Sequence, residues 1–406
     1  MNSHIVVTGD TFETIARKVY GTEVNAFRII NANPGTFEPL VVGSSIVVPG
    51  VPTAPRNQPS NTQDEVALNI DNKLLRFWTT IKIKRALDSM DSVEFTAPFD
   101  PDEPNHREVF KPLSFKDISV AIGGEPLFRG TMLNPIPFLD SEKNVITVNG
   151  YALPGVLNDC GLPASAFPLQ FDGARLGDIA KTVADYFGIE VEFIGDQGPV
   201  FDRVAAEPTK KAYQFLTELA QQRGFIISST PLGKLLFQKS VTGGKPVARL
   251  QQGSPPLMGV TPQFNAQQYY SHITGLQPTV LGLPGSQFTG TNSRLQGVIR
   301  PLTFEANDTT AGSIKEAVLA KAGRMFANVV SYLANVATWR DSAGLLWTPN
   351  TIITLLSPEN MIYTESKFII RSVEFTKTEN SKIAVLNLVL PGVFSGKIPE
   401  VLPWEE

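Results

Sequence analysis

The histidines and the cysteine are the residues whose chemistry would be easiest to recognise in this chain of 406 residues. There are three histidines, His4, His106 and His272, and one cysteine, Cys160. No histidine has a second histidine or a cysteine at the short spacing that zinc sites use. Cys160 has no activating partner nearby in the sequence, and we interpret it as a buried or inert thiol. The sequence therefore predicts neither a metal site nor a cysteine nucleophile.

Acidic residues that could do acid–base chemistry occur together in one segment. Asp100, Asp102 and Glu103 stand among prolines in a turn-rich loop, and we interpret them as a solvated face. A glycosidase needs two carboxylates held across a cleft, and no such pair stands out. The sequence also shows no P-loop, no Gly-x-Ser-x-Gly turn and no dinucleotide-binding fingerprint. We therefore predict that the protein is not an enzyme and has no cofactor.

Composition narrows the class of protein further. The chain is 42% hydrophobic and 18% charged, as in ordinary soluble proteins. A net charge of −4 argues against a general nucleic-acid binder. One cysteine allows no intrachain disulfide, and we expect no signal peptide and no membrane span. The 32 glycines and 31 prolines, placed between short alternating segments, predict a β-rich architecture with many turns.

Residues 1–50 are predicted to form a small β-α-α-β module. A short apolar strand at residues 5–7 precedes Asp10, which with Glu13 has the spacing of a capping box for a first helix. Thr22 is the predicted start of a second helix, and an apolar run at residues 46–49 closes the module as its second strand.

This module resembles a LysM domain throughout its length. The resemblance rests on residues 8–12 (Thr-Gly-Asp-Thr-Phe), 30–34 (Ile-Asn-Ala-Asn-Pro) and 46–49 (Ile-Val-Val-Pro). It implies a shallow groove for N-acetylglucosamine, and thus for peptidoglycan, between two loops. Docking onto a neighbouring protein is the alternative, because a fold does not define a function. The candidate glycan-binding residues are Gly9, Asp10, Thr11, Phe12, Asn31, Ala32, Asn33 and Pro34.

The next three regions differ in composition and periodicity. Residues 51–64 hold three prolines and are predicted to be a semi-extended linker that separates the module from the body. Residues 65–155 alternate as antiparallel strands, with a tight turn at Gly123–Gly124, and fit a barrel or a sandwich. Residues 156–250 mix two amphipathic helices with short strands and are predicted to be an α+β insertion.

Residues 251–394 are predicted to be a second β-rich region that begins with long loops. A capping box at Ser313 opens a helix over residues 313–338, whose broad apolar face indicates that more than one surface is covered. Residues 395–406 form a tail with a Trp that is either an anchor in a partner or part of an unordered end. The candidate partner-interface residues are Met325, Phe326, Val329 and Trp404, with the loops at 275–300.

The body of the chain resembles the late-control hub family of contractile phage tails, which is related to the base of type VI secretion spikes. The block at residues 339–350, Trp-Arg-Asp-Ser-Ala-Gly-Leu-Leu-Trp-Thr-Pro-Asn, is most similar to the hubs of Mu-like phages. Other matching pieces are Gly123–Gly124 with residues 127–130 (Leu-Phe-Arg-Gly), residues 157–160 (Leu-Asn-Asp-Cys), 219–225 (Leu-Ala-Gln-Gln-Arg-Gly-Phe) and 386–391 (Leu-Asn-Leu-Val-Leu-Pro).

The hub resemblance implies a fold, a set of partners and a location. The expected fold is mainly β, with an α+β insertion, two antiparallel β-barrel domains like those of the tail tube, and the LysM-like module. The expected assembly is a homotrimer that matches the six-fold tube to the three-fold spike and encloses a channel for DNA. Its expected partners are the tail tube or tube-initiator protein, the central spike and other baseplate proteins. The expected location is the tail baseplate of the virion, assembled in the host cytoplasm.

Two other classes of protein remain open at this point. One is a peptidoglycan-binding surface protein with a β-rich body, which would be a soluble monomer. The other is a cell-wall hydrolase anchored by the LysM-like module, which would need a pair of catalytic carboxylates.

Overall fold

The computed structural model describes residues 2–20, 26–33, 36–48, 62–139, 144–277, 285–305, 311–396 and 401–405. The fold is mainly β. Its helices are α1 (Phe12–Tyr20), α2 (Ala26–Ala32), α3 (Pro104–Val109), α4 (Val156–Asp159), α5 (Leu176–Asp185), α6 (Ala212–Gln222) and α7 (Ala311–Val329). Within the described ranges, no helix has both the length and the apolar character needed to cross a membrane.

The strands of the described residues follow the chain in this order: β1 (Asn2–Ile5), β2 (Ser45–Val48), β3 (Val66–Ile70), β4 (Lys73–Leu74), β5 (Thr80–Ala86), β6 (Ser92–Pro98), β7 (Asp117–Ile122), β8 (Glu125–Leu139), β9 (Asn144–Ala152), β10 (Gln170–Ala174), β11 (Val191–Ile194), β12 (Phe201–Ala205), β13 (Ile226–Ser229), β14 (Leu235–Gln238), β15 (Ala248–Gln251), β16 (Leu257–Phe264), β17 (His272–Leu276), β18 (Gln287–Thr291), β19 (Pro301–Glu305), β20 (Val330–Val336), β21 (Ile352–Ser357), β22 (Ile362–Thr378) and β23 (Lys382–Val389).

The N-terminal module contains β1, α1, α2 and β2. The two strands pair antiparallel, with His4 opposite Ile46. The helices bury a small core against them, formed by Val6, Phe12, Ile15, Ala16, Ala26, Ile29, Leu40, Ile46 and Val48. The predicted second cap, Thr22, lies outside the described residues, as does nearly all of the predicted linker.

The first helix is capped by Thr11, whereas the sequence predicts Asp10. The hydroxyl of Thr11 accepts the N–H of Thr14 at 3.2 Å, and the Thr14 hydroxyl accepts the N–H of Thr11 at 2.8 Å. Glu13 does not complete a capping box in this arrangement. It instead forms an ion pair with Arg76 of the body, at 2.9 Å, so the module contacts the body at this point.

One sheet of thirteen strands forms the body. Its main path runs β16-β20-β23-β22-β5-β6-β9-β8-β7-β3-β4, with β15 and β21 attached beside β22. Strands of both predicted barrel regions belong to this sheet, because β22 pairs with β5 from Ser372 opposite Ala86 to Thr378 opposite Thr80. The path is open, and the described strands form no closed barrel. The prediction of two separate barrels is corrected accordingly.

The length of β22 explains how the two β regions become one sheet. Its first half, from Ile362 to Ile369, pairs with β21, and its second half pairs with β5. A register shift between Ile370 and Ser372, seen in its pairing with β23, falls between the two halves. Alternating hydrophobicity predicts each strand and its buried face, but it does not predict which distant strand lies alongside.

The α+β insertion has a core of its own. Helices α5 and α6 pack on a three-stranded sheet of order β11-β14-β13, and β10 pairs with β12. The buried side chains of this core include those of Leu176, Ile179, Phe201, Phe215, Phe225 and Phe237. These elements all lie between the strands of the first and second β regions in the sequence.

The long helix ends earlier than predicted. It stops at Val329, and residues 330–336 continue directly as β20, between β16 and β23. Val330, Tyr332 and Ala334 are buried with the period of two that is typical of a strand. Apolar residues of the same stretch also fit helical spacing, which is why the sequence predicted a longer helix. Pairing of β20 with β16 on one side and β23 on the other favours the strand over the helix.

The segment predicted to be mainly loops, residues 251–310, contains four strands. β16 joins the large sheet, while β17, β18 and β19 form a separate three-stranded sheet packed on α7. Gly275 and Gly290 allow this contact, because a Cβ at either position would lie about 3 Å from Val318 of α7. The broad apolar face of α7 is thus covered on several sides within the chain.

Candidate functional site

The residues considered for chemistry are dispersed, and most serve local structure. His106 accepts the N–H of Asp100 through Nδ1 at 3.0 Å, and His272 Nδ1 lies 2.9 Å from the Ser271 hydroxyl. In the described ranges, no group of three or more His, Cys, Asp or Glu residues could hold a metal ion. Cys160 is exposed, so of the two alternatives for this thiol, buried or inert, burial is excluded.

The side chain of Asp10, a predicted glycan ligand, is turned into the N-terminal module. It lies 2.7 Å from His4, 2.6 Å from Lys18 Nζ, and accepts the N–H of Val7 at 3.0 Å. The hydrogen bonds from His4 and Lys18, with that from Val7, hold the pKa of Asp10 well below its usual range. Asp10 therefore ties the start of α1 to β1.

Asn33 has a similar internal role at the end of α2. Its amide donates to the carbonyls of Ile29 and Val47 and accepts the N–H of Val47, at 2.6 to 2.7 Å. Of the other predicted glycan ligands, Thr11 caps α1, Phe12 is buried, Gly9 has a φ of 89°, and Ala32 is half-buried. Pro34 and the side chain of Asn31 lie outside what the structure describes.

The predicted partner-interface side chains are covered within the chain. Met325, Phe326 and Val329 are all buried, and Phe326 packs edge-on against Tyr269. Trp404 packs against Phe264 with ring centroids 5.2 Å apart. Because these surfaces are occupied by the chain itself, the structure does not bring the four residues together as an exposed interface.

Arg340 forms a junction between three segments that are distant in sequence. Its guanidinium donates to Asp64 at 3.0 Å, to Glu125 at 2.8 Å and to the Gln63 carbonyl at 2.6 Å. Lys382 also pairs with Asp64. We call these five residues the Arg340 junction. It joins the segment before β3, the β7–β8 turn and the block at residues 339–350.

The electrostatics of the Arg340 junction favour a charged Asp64. Burial would raise the pKa of Asp64, but hydrogen bonds from Lys382 and Arg340 outweigh it, and the pKa lies below its ordinary value. The side chains of Arg340 and Asp64 are only 10% and 9% exposed. The Arg340–Asp64 pair is therefore largely desolvated, and the loss of Arg340 would leave a buried charge on Asp64.

The same block also holds the end of the insertion. Asn350 donates to the Gln238 side chain at 3.0 Å and to the Lys239 carbonyl at 3.1 Å, and it accepts the N–H of Val241 at 2.9 Å. Trp339 and Trp347 are fully buried, and both donate their indole N–H to backbone carbonyls. The motif at residues 339–350 thus contacts all three parts of the body, namely the first β region, the insertion and the second β region.

A second junction connects the loop between β5 and β6 to β22 and to α7. The guanidinium of Arg371 in β22 donates hydrogen bonds to both carboxylate oxygens of Asp88, the shortest at 2.8 Å. It also donates to the Ala327 carbonyl of α7 at 3.1 Å. Burial lowers the pKa of the neighbouring Arg324 to about 10, against the opposing effects of Asp88 and Tyr213 of α6.

Asp91 anchors the insertion from the same loop. It accepts the N–H of Ala86 at 2.9 Å and lies 3.3 Å from Arg85, while its own N–H donates to the Ser229 hydroxyl at 3.0 Å. Burial raises the pKa of Asp91 to about 6, although Arg85 and the Ala86 N–H favour the charged form. No local signal in the sequence predicted the contact with Ser229, because Ser229 lies 138 positions from Asp91.

Comparison with known proteins identifies the class to which this architecture is similar. Residues 154–239, which cover most of the insertion, match the family model described as "Baseplate hub protein gp44-like, second domain". The fold of the chain is that of phage tail proteins.

Particular relatives follow from the same comparison. Baseplate hub protein gp44 of Escherichia phage Mu is 22% identical over 311 residues, covering 73% of this chain and 79% of the relative. The 43 kDa tail protein of prophage MuSo2 from Shewanella oneidensis has a TM-score of 0.69 at 24% identity, covering 81% of this chain and 99% of that chain. A tail protein from Neisseria meningitidis MC58 also gives 0.69, at 19% identity and covering 82% and 98%.

Proposed function

We propose that this chain is a structural baseplate hub protein of a contractile phage tail. The observation that carries the proposal is the similarity to gp44 of phage Mu over 311 residues. Residues 154–239 also match the second domain of gp44-like hub proteins. The protein is accordingly a virion component located in the tail baseplate. Its role is structural, and its partners are other tail and baseplate proteins.

The hub is a homotrimer that matches the six-fold tail tube to the three-fold spike. Each chain contributes two β regions, so three chains offer six to the tube. Joining both regions in one sheet supports this role, since forces applied to one region pass to the other through the strand pairing of β5 and β22. DNA passes through the central channel without specific binding, in keeping with the net charge of −4.

The solution mass, measured by size-exclusion chromatography with light scattering, tests the assembly. Three copies of the 44.2 kDa chain give roughly 133 kDa, and closed three-fold symmetry requires this mass at every concentration above the assembly threshold. The measurement is repeated with the purified central spike protein, because a partner that binds the trimer also stabilises it. A monomer under both conditions would contradict the homotrimer.

Glycan binding by the N-terminal module stays a prediction from its resemblance to LysM domains. Since Asp10 and Asn33 bond within the module, recognition would fall mainly to backbone groups of the two loops. Co-sedimentation with purified peptidoglycan tests it, with a chain lacking the module as the control. A monomer that sediments with peptidoglycan would favour the peptidoglycan-binding alternative over the hub.

A further inference from the structure

The sheet of the insertion has a free edge at β11. Its strand order is β11-β14-β13, so β11 pairs on one side only among the residues that the structure describes. Val191 lies opposite Leu235 in parallel register, and the Leu235 N–H donates to the carbonyl of Glu190 at 2.8 Å. In a parallel ladder the backbone groups of Glu190 and Glu192 therefore face β14. The N–H and C=O groups of Val191 and Phe193 face outward.

A groove runs along this free edge, between β11 and α5. Its volume is about 640 Å³, within the range of pockets that hold sizeable ligands. Asp178, Lys181 and Asp185 project from one face of α5 as one wall, and Val191 and Phe193 form part of the other. Phe193 is held by stacking on Phe237, with ring centroids 4.4 Å apart, so this wall is rigid and partly apolar.

The charge of the groove is negative. Asp178, Asp185 and Glu190 line it together with a single cation, Lys181. Lys181 is already paired with Asp185 at 2.8 Å, and Lys234 beside the groove is paired with Glu190 at 3.0 Å. The three carboxylates and these two lysines carry a net charge of −1. A cationic occupant would be favoured and an anionic one disfavoured.

We propose that this groove binds an extended segment of a partner protein, in which basic side chains alternate with apolar ones. The segment adds to β11 as a further strand, with its backbone bonded to Val191 and Phe193. Alternate side chains of an added strand point to opposite faces of the sheet. Its basic side chains therefore point to the face on which α5 carries Asp178 and Asp185, and its apolar side chains lie on the other face beside the exposed Ile194. This inference goes beyond the hub proposal, since it assigns a binding surface to the insertion and a chemistry to its partner.

Direct binding of a synthetic probe tests the proposal on the full-length protein. The probe is a fluorescent peptide in which Val alternates with Lys, and the matched control replaces each Lys with Glu. We expect saturable fluorescence anisotropy with the Lys peptide and much weaker binding of the Glu peptide. Hydrogen-exchange mass spectrometry should show slower amide exchange around residues 190–194 when the Lys peptide is bound, because outward N–H groups become bonded.

Two variants separate the backbone and charge contributions. Val191→Pro removes an outward N–H that β14 does not use, and proline is tolerated at such edge positions, so the Lys peptide should lose its affinity. The pair Asp185→Asn and Glu190→Gln should weaken Lys-peptide binding by roughly threefold to tenfold, by the usual size of exposed charge pairs. Asp202→Asn, an exposed change in β12 outside the groove, should leave binding unchanged.

Three results would overturn the proposal. The first is equal binding of the Lys and Glu peptides. The second is an unaltered affinity for the Lys peptide both in Val191→Pro and in the charge variant. The third is slower amide exchange elsewhere in the chain and not around residues 190–194. A change of solution mass in Val191→Pro would assign the edge to contact between copies of this chain and would also overturn it. Failure here leaves the hub proposal intact, because the trimer mass is measured without peptide.

Discussion

Gly123 and Gly124 occupy the same turn between β7 and β8 but have different surroundings. Both have positive φ, 59° and 82°, as the Gly-Gly pair predicts. A Cβ on Gly123 would lie 2.1 Å from the Gln63 carbonyl oxygen, whereas a Cβ on Gly124 would meet nothing within 4 Å. The turn needs glycine for its conformation at both positions, and at Gly123 the Arg340 junction also needs the space.

We predict that Gly123→Ala destabilises the protein much more than Gly124→Ala. Strain at positive φ alone should cost Gly124→Ala about 1 kcal/mol of unfolding free energy. Gly123→Ala should cost roughly 3 kcal/mol or more, because a backbone carbonyl must move as well. Urea unfolding of the two variants measures the difference directly. Equal losses would show that the close approach at Gln63 carries no energetic weight.

Polar residues of the N-terminal module show a related limit of sequence reasoning. Asp10 and Asn33 belong to loops that a LysM resemblance marks for ligands, yet both side chains bond to the module's own backbone. A short polar side chain near a helix end can satisfy backbone groups just as well as a ligand. Residue type and spacing are the same in the two cases, and only the direction of the side chain differs.

The elements of the body are held together chiefly by side chains that lie far apart in sequence. Arg340 and Asp64 are 276 positions apart, and Arg371 and Asp88 are 283 apart. The Arg340–Asp64 pair joins segments that no strand ladder connects, whereas the Arg371–Asp88 pair lies at the end of the ladder between β5 and β22. The positions of the elements relative to one another therefore depend on a few ion pairs as well as on the shared core.

We predict that Arg340→Ala lowers the unfolding free energy by roughly 3 kcal/mol, because Asp64 keeps a buried charge with only Lys382 to pair with. The matched control is Arg249→Ala. Arg249 also pairs with a carboxylate, Glu365, at 3.0 Å, but its side chain is 61% exposed. Exposed pairs contribute at most about 1 kcal/mol, so the control should change little in urea unfolding. Similar losses in both variants would contradict a special role for the Arg340 junction.

Helix α7 and strand β20 show where periodicity is ambiguous. Helical spacing continues past Val329, but the chain changes to a strand at Val330. The β-branched and aromatic residues of β20 suit a strand that is paired on both sides. The insertion posed no such difficulty, since α5 and α6 end close to the glycines, Gly188 and Gly224, that predict their ends.

The continuous sheet has a consequence for the whole molecule. If β5 and β22 join the two β regions into one block, both regions should open in a single step. We predict that the slowest-exchanging amides of β6 and of β23 share one opening free energy in native-state hydrogen exchange. The dependence on denaturant should also be the same for both strands.

A clear difference between the two strands would contradict this prediction. Opening free energies that differ by more than about 1 kcal/mol would indicate two separately folding units, as the barrel prediction implied. The insertion serves as an internal reference, because its separate core allows it to open independently of the sheet.

Short-range patterns predicted the type of many elements in this chain, although β17 to β19 were expected to be loops and β20 was expected to be helical. In the insertion they predicted α5, β11, α6, β13 and β14 in the observed order. Helix caps, turn glycines and alternating strands act over a few residues, so their signals are present in any local stretch. The motif at residues 339–350 also pointed to the similarity with phage hub proteins that the comparisons support.

Long-range pairing was beyond the reach of those patterns. The merger of two β regions, the end of α7 at Val329 and the inward direction of Asp10 and Asn33 all depend on contacts with distant segments. A strand's pattern specifies which face is buried but not which strand lies beside it, because backbone hydrogen bonding is nearly independent of side-chain identity. Folding selects among the possible partners by total burial and by satisfied charge, both of which are properties of the complete structure.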